Sequence, residues 1–314
     1  MATHTILGAG GAIANGLTKV LAAHGETIRL VSRNPALSKQ AEVFPADISD
    51  KPQVVDAVKD SSVVYLCIGL KYDYVVWRAQ WPKIMDNTIE ACRKAGAKLI
   101  FFDNVYMYGR VDGPMTEETP YNPSSKKGDL RARIATKLMS EVRKGNIIAS
   151  IARAADFYGP GADKTSLPNM LVFANLAKNK RAQWLANASV KHSFTYIPDA
   201  CKALYLLAKN DESWNQTWHL PTAANPLKGK EFIRQAAEVM QAKSGYTVLH
   251  PWMLRLGGLF NKTIAESYEM LYQSKYDYIF DSGKFNNAFD FRPTGYQEGI
   301  VETANSYQSS ASSL

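Results

Sequence analysis

Two groups of residues in this chain have types and spacing suited to chemistry. The first is Gly8-Ala9-Gly10-Gly11-Ala12-Ile13-Ala14, directly after the apolar Thr5-Ile6-Leu7. A turn with almost no side chains lets backbone N–H groups approach a diphosphate. A helix starting there aims its positive end at the same charge. The G-x-x-G-x-x-A spacing of Gly8, Gly11 and Ala14 predicts a dinucleotide site, with Gly8, Gly11, Ala12 and Ile13 against the diphosphate. The second group is Asn104, Tyr106 and Tyr108 with Lys126 and Lys127. A phenol beside a cation can pass a proton to or from a substrate oxygen, and an amide can orient a carbonyl. Tyr106 is expected to face substrate, Asn104 to orient it, and Lys126 or Lys127 to supply the cation. Residues two apart share a side on extended backbone, which would place Tyr106 and Tyr108 together.

The segment Ser32-Arg33-Asn34-Pro35 decides which dinucleotide is expected. An acidic residue after the second strand selects NAD by bonding its ribose hydroxyls. Here a hydroxyl, a guanidinium and an amide stand instead, and arginine pairs with phosphate and stacks on adenine. NADP is therefore expected over NAD, with Ser32, Arg33 and Asn34 around the additional phosphate. Cys67-Ile68-Gly69 ends another apolar run and is expected to line the cofactor; Gly69 would let the chain pass close to the ribose and phosphates, while the Cys67 thiol reads as small core filling rather than a nucleophile.

The elements that must position these groups alternate. Strands are expected at Thr3 to Leu7, Thr27 to Val31, Ser62 to Ile68, Lys98 to Phe102 and Ile147 to Ala152. Helices lie between them: Ala12 to His24 closed by Gly25, one capped by Asp50, one ending at Ala95, and one over about 129 to 144 before Gly145. Such alternation implies a parallel sheet covered by helices on both faces, with ligands beyond the carboxyl ends of the strands. After Asp156 the rhythm changes. Short strands are expected at Phe194 to Ile197 and Thr217 to His219, both returning to the main sheet, and helices at Lys228 to Met240 and Ile264 to Leu271. Tyr268, Tyr272 and Tyr276 would then share one helical face. Residues from Ser306 onward read as a frayed tail.

At 314 residues with 46% hydrophobic content, the chain can bury a large core. No apolar run is long enough to span a bilayer, and no secretory leader is evident, so a cytoplasmic protein without membrane contact is expected. Three widely spaced cysteines, Cys67, Cys92 and Cys201, imply neither disulfides nor a metal site. The net charge of +8 is spread without basic runs, which argues against nucleic acid.

The order of these landmarks resembles the extended, epimerase/dehydratase-like branch of the short-chain dehydrogenase/reductase superfamily. Gly8, Gly11 and Ala14 match its glycine turn, and Asp47 followed by Ile48 matches its adenine contact. Val105 to Gly109 is similar to the segment ending Val-Tyr-Gly. Arg153 to Gly161 resembles Arg-Pro-x-x-x-Tyr-Gly-Pro-Gly, which carries Phe157 to the cofactor, and His192 to Ala200 resembles Phe-x-x-Val-x-Asp-Val. The resemblance implies a Rossmann-type doubly wound parallel sheet with a smaller, mostly helical C-terminal substrate lobe. The expected domains are 1–160, with returning segments near 190–220, and a discontinuous lobe over 161–314. It also implies a homodimer through the helices after the fourth and fifth strands, the first rich in apolar residues from Val75 to Ile89.

The departures from the family are specific. The family's Tyr-x-x-x-Lys pair is missing where it belongs: Tyr121 is followed at the fourth place by Ser125. Asn104 replaces the usual serine. Tyr205 and Lys209 have the spacing but follow the wrong strand. The expected function is an NADP(H)-dependent oxidoreductase acting on a small carbonyl or activated alkene. The alternatives are a sugar-nucleotide epimerase or dehydratase that retains NAD, and a non-catalytic NADP-binding sensor or scaffold.

Overall fold

A computed structural model describes residues 3–311, with side chains through Tyr307. Seven strands form the main sheet: β1 (Thr3–Leu7), β2 (Thr27–Ser32), β3 (Glu42–Pro45), β4 (Ser61–Leu66), β5 (Lys98–Asp103), β6 (Ala149–Arg153) and β7 (Thr217–His219). Their order is β7-β6-β5-β4-β1-β2-β3. Every pairing from β6 to β3 is parallel. The order reverses beside β1, so the sheet is doubly wound, and ligand crevices in such sheets open at that reversal.

Helices connect the strands: α1 (Ala12–Ala23), α2 (Lys51–Val58), α3 (Tyr74–Ala95), α4 (Lys126–Arg143) and α5 (Ile197–Lys209). Leu7, Val31, Leu66, Phe101 and Ile151 join Trp77, Trp81, Ile84, Ile134 and Leu138 in one buried cluster. Ile6, Tyr65 and Ile100 alternate with the strand members of that cluster and are equally buried. The sheet is thus covered on both faces, which is why its strands read as continuous apolar runs.

The chain divides into two compact units. The first comprises the chain up to Met107, Lys126–Arg153 and Ala200–Trp218; the second comprises Tyr108–Ser125, Ala154–Asp199 and the chain from His219 onward. In the second unit, α6 (Gly229–Val239) and α9 (Tyr296–Ala311) join a core around Tyr158, Phe173, Trp184 and Phe232. Between them lie α7 (Pro251–Gly257) and α8 (Lys262–Ser267). Gly159 has φ +138° because Asn169 clamps it: the amide donates to its carbonyl at 2.9 Å, and its own N–H reaches Asn169 Oδ1 at 3.3 Å.

Several sequence expectations are corrected. Phe194–Tyr196 does not return to the main sheet; it pairs with Asp156–Tyr158 in a separate two-stranded ribbon. The tyrosines at 268, 272 and 276 share no helix, because α8 passes into a 3-10 turn at Tyr268–Met270 and Tyr276 is extended. The tail expected to fray from Ser306 is helical through Ala311, and the remainder of that expectation lies outside the described residues. Strand β3, with little periodicity of its own, was not foreseen. Trp77, Trp81, Ile84, Met85 and Ile89 are buried within this chain, leaving Val75 as the exposed large apolar residue of α3. The apolar surplus that suggested pairing is therefore used inside the protomer.

Candidate functional site

The glycine turn closes the end of β1. Gly8 and Ala9 donate backbone N–H groups to the Val31 carbonyl at 2.9 and 3.1 Å. Gly8 has φ +113°, and a Cβ there would stand 2.9 Å from Ile68 Cα and 3.0 Å from the Cys67 carbonyl. Only glycine fits against the end of β4. Gly10, at φ +94°, has nothing within 4 Å of an added Cβ, and neither has Gly69. Gly11 is the N-cap of α1, and no side chain caps the helix there. An uncapped helix start with two bare glycines, each with open space at its Cβ position, is an arrangement that fits the diphosphate of a dinucleotide. Ala12 and Ile13 are the first residues of that turn. The positive φ of Gly10 depends on the turn's geometry rather than on the G-x-x-G-x-x-A spacing, which skips it.

Four loops meet beyond the carboxyl ends of β5, β4, β1 and β2. From β5 to β2 there are three interstrand gaps, or about 14 Å. At the β2 end lie half-buried Ser32 and exposed Arg33 and Asn34. Asp47 stands nearby: its Oδ1 accepts from Ser49 N at 2.9 Å and Ser49 Oγ at 2.8 Å. Those bonds, helped by the Arg33 charge, hold its carboxyl below the usual range. The Ile48 carbonyl accepts from Asn87 at 3.3 Å. In the middle, Cys67 is tied to Leu7 O through its N–H at 2.9 Å, and burial pushes its thiol far up. That disfavours the thiolate and suits a packing role for the thiol.

At the β5 end, Asn104 Oδ1 accepts from Tyr106 N at 3.1 Å, forming a local turn. Tyr106–Tyr108 is one 3-10 turn rather than an extended segment. Tyr106 is half-buried and lies parallel to Trp77, with ring centroids 6.4 Å apart. Tyr108 belongs to the second unit and is fully buried. His219 Nδ1–H donates to the Asp281 carbonyl at 2.8 Å, so its Nε2 accepts from the Tyr108 hydroxyl at 2.7 Å. Tyr108 is thus a framework group and does not accompany Tyr106.

The two lysines also separate. Helix α4 buries Lys127, Leu130, Arg131, Ile134, Ala135 and Leu138, a stripe of helical period. Lys127 begins that stripe, fully buried, with Nζ 4.8 Å from the Tyr72 ring. Lys126 is rotated off it, exposed, with Nζ 5.9 Å from the Tyr74 ring. Arg131 was missed although it falls on this stripe, and a cation at a core position is a readable signal. Its Nε donates to Asp103 Oδ1 at 2.8 Å, and its guanidinium lies 4.2 Å from the Trp81 ring. Arg153 Nε lies 3.8 Å from the other Asp103 oxygen. Asp103 Oδ1 also accepts from Asn104 N at 2.8 Å. A buried ionic cluster thus sets where the Asn104 turn begins.

Tyr205 and Lys209 are engaged elsewhere: Tyr205 stacks on His24 at 4.1 Å, and Lys209 pairs with Glu26 at 2.9 Å. Phe157 belongs to the second unit, paired with Thr195. That unit has a shallow surface cleft walled by Leu167, Pro168, Leu171, Trp184 and Phe194 among others. Its polar groups are Asp156, His192 and Ser274. His192 Nε2 meets Asp156 Oδ2 at 3.0 Å, and its ring lies between Phe194 and Tyr278 at 4.5 and 4.4 Å. No group of three or more His, Cys, Asp or Glu among the described residues could hold a metal ion.

The profile of the NAD dependent epimerase/dehydratase family matches residues 4–219. No curated protein matches the chain. Among solved structures, UDP-glucose 4-epimerase of Thermus thermophilus in complex with NAD superposes with a TM-score of 0.81 at 18% identity, covering 98% of this chain and 99% of that one. UDP-glucose 4-epimerase of Thermotoga maritima with UDP-glucose gives 0.82 at 15% identity, covering 98% and 99%. A double mutant of the dTDP-glucose 4,6-dehydratase DesIV of Streptomyces venezuelae, with NAD and DAU bound, gives 0.81 at 15% identity, covering 100% and 99%.

Proposed function

Because the chain belongs to the NAD dependent epimerase/dehydratase family, a family of nicotinamide-dependent enzymes, we propose that it is an oxidoreductase preferring NADP(H) that acts on a small carbonyl or activated alkene. The observation carrying the cofactor preference is the end of β2, where exposed Arg33 stands between Ser32 and Asn34 and no carboxylate follows the strand. A carboxylate there would repel a 2′-phosphate; a guanidinium forms paired charge-assisted bonds with it. Gly8, Gly10, Gly11 and the first turn of α1 hold the diphosphate, with Gly69 beside it. Asp47 and Ile48 bound the adenine, with Arg33 and Asn34 at its ribose. When bound, the nicotinamide accepts or donates a hydride.

This chain's own residues have simpler tasks. The Asn104 turn, fixed by Asp103 and Arg131, orients a substrate carbonyl. Tyr106 delivers the proton to the developing oxygen. Lys126 keeps that region cationic, whereas Lys127, buried against Tyr72, acts through position alone.

The structural neighbours favour a second reading, a sugar-nucleotide epimerase or dehydratase that retains its cofactor. The missing Tyr-x-x-x-Lys pair weighs against it, since both reactions need a phenolate-strength base. Fluorescence titration with NADPH and NADH separates the two readings. NADPH binding at least about tenfold tighter, about 1.4 kcal/mol, is expected and should vanish in Arg33→Ala. Equal affinity, or NAD that copurifies and does not exchange, overturns the proposal. Tyr106→Phe should lower turnover of an aromatic aldehyde about a hundredfold; undiminished turnover removes that phenol from the mechanism.

A further inference from the structure

The segment 250–262 turns its apolar side outward. Trp252 is 66% exposed, Leu256 54%, Leu259 75% and Phe260 88%. Trp252 and Leu256 are one turn apart on α7. The chain continues as turns, with Gly258 N bonded to Leu254 O and Asn261 N to Gly257 O, each at 2.9–3.0 Å. Positions 252, 256, 259 and 260 therefore follow one helical stripe. Leu254, on the other side, is buried and anchors the helix. An ordinary surface helix places its apolar stripe inward; this one presents it to solvent.

Within segment 250–262 the charged side chains are Arg255 and Lys262, with Glu266 one turn further along on α8. From Val239 to Ala265 the sequence carries Lys243, Arg255 and Lys262 with no Asp or Glu; the first carboxylate is Glu266. Arg255 is exposed beside Leu256 and Leu259. The four side chains together expose about 500 Å² of apolar surface, at the upper end of what monomers carry without a partner.

We propose that this face is a peripheral docking site for an anionic lipid surface, with Trp252, Leu256, Leu259 and Phe260 entering the headgroup–acyl boundary and Arg255 meeting lipid phosphates. Three arguments favour this occupant over a second copy of the chain. About 500 Å² per protomer falls short of the roughly 800 Å² that a stable interface takes from each partner. A self-complementary contact would bring like cations together. The composition, Trp, Leu and Phe beside Arg, is what an interfacial helix uses. Among the described residues no helix is long and apolar enough to cross a membrane, so the contact is with one leaflet only.

The test is flotation of the full chain with vesicles of phosphatidylcholine alone and of phosphatidylcholine mixed with phosphatidylglycerol. The protein should float with the mixed vesicles, not with the neutral ones, and added salt should release it. Leu259→Ser combined with Phe260→Ser should reduce the floating fraction at least about tenfold. Because both side chains are already solvent-exposed, the melting temperature should not change. Arg255→Ala should weaken flotation less, and only at low salt. No flotation with mixed vesicles overturns the proposal. So does flotation that the double variant leaves intact. A sedimentation change from dimer to monomer in the double variant would assign the face to a second copy, and capture of a protein by wild type but not by the variant, without flotation, would assign it to a protein partner.

Discussion

Replacing Gly8 and Gly10 by alanine, one at a time, separates the structural task of the glycine turn from its binding task. Both residues have positive φ, +113° and +94°. That region costs an alanine about 1–2 kcal/mol. For Gly10→Ala this is the whole cost, since the new methyl meets nothing within 4 Å. Gly8→Ala adds a clash. Its Cβ would stand 2.9–3.0 Å from Ile68 Cα and the Cys67 carbonyl, all backbone atoms of a chain hydrogen-bonded to β1. Overpacking of this kind adds about 1–3 kcal/mol. At about 2–4 °C per kcal/mol, Gly10→Ala should melt about 4 °C below wild type and Gly8→Ala about 10 °C below. Binding should rank differently. The Gly10 methyl enters the space before α1, so NADPH affinity should fall at least about tenfold, about 1.4 kcal/mol, more than the small loss of stability accounts for. Thermal melting with and without NADPH reads both quantities. A Gly8→Ala protein melting within about 2 °C of wild type would refute the packing argument. A Gly10→Ala protein that binds NADPH normally would refute the diphosphate assignment.

Asp103→Ala should destabilise by about 3–5 kcal/mol in urea unfolding, because Arg131 and Arg153 are left buried without their shared carboxylate; a loss under about 1 kcal/mol would contradict that cluster. His4 is buried, with Nδ1 3.0 Å from the Tyr65 hydroxyl, and burial lowers its pKa below 6.5 despite Glu26. Between that lowered value and 6.5 the unfolded chain binds a proton that the folded chain does not. Its contribution is therefore complete above about pH 6.5 and declines as pH falls. Melting temperature should drop between about pH 7.5 and pH 5.5, and drop less in His4→Asn; identical profiles would remove His4 from the acid response. Cys67, Cys92 and Cys201 are all buried, and burial pushes the Cys67 and Cys92 thiols upward. Iodoacetamide should modify none of them in the native protein and all three after unfolding; native labelling at Cys67 would show that the end of β4 opens.

The sequence is locally legible where one rule among near neighbours fixes the conformation. The bare turn after β1, the caps at Asp50 and Gly96, and the absence of an acid at Ser32-Arg33 all depend on neighbours within a few residues. It is not legible where a residue's role comes from distant chain. Lys126 and Lys127 are adjacent and chemically equal, yet the helical phase of α4 sends one to solvent and the other into the core. Tyr106 and Tyr108 were expected to share a side, but a 3-10 turn divides them and His219 claims the second.

Alternation of apolar runs with capped helices was enough to dictate a parallel, doubly covered sheet, because burial on both faces and right-handed crossovers leave few other arrangements. Local spacing likewise dictated the glycine turn between β1 and α1. Folding alone decided that Trp77, Trp81 and Ile89 face inward, that Phe194–Tyr196 leaves the main sheet, and that Trp252, Leu256, Leu259 and Phe260 face outward. Periodicity identifies an apolar stripe but not what stands opposite it, and only the packed chain supplies that neighbour or leaves it missing.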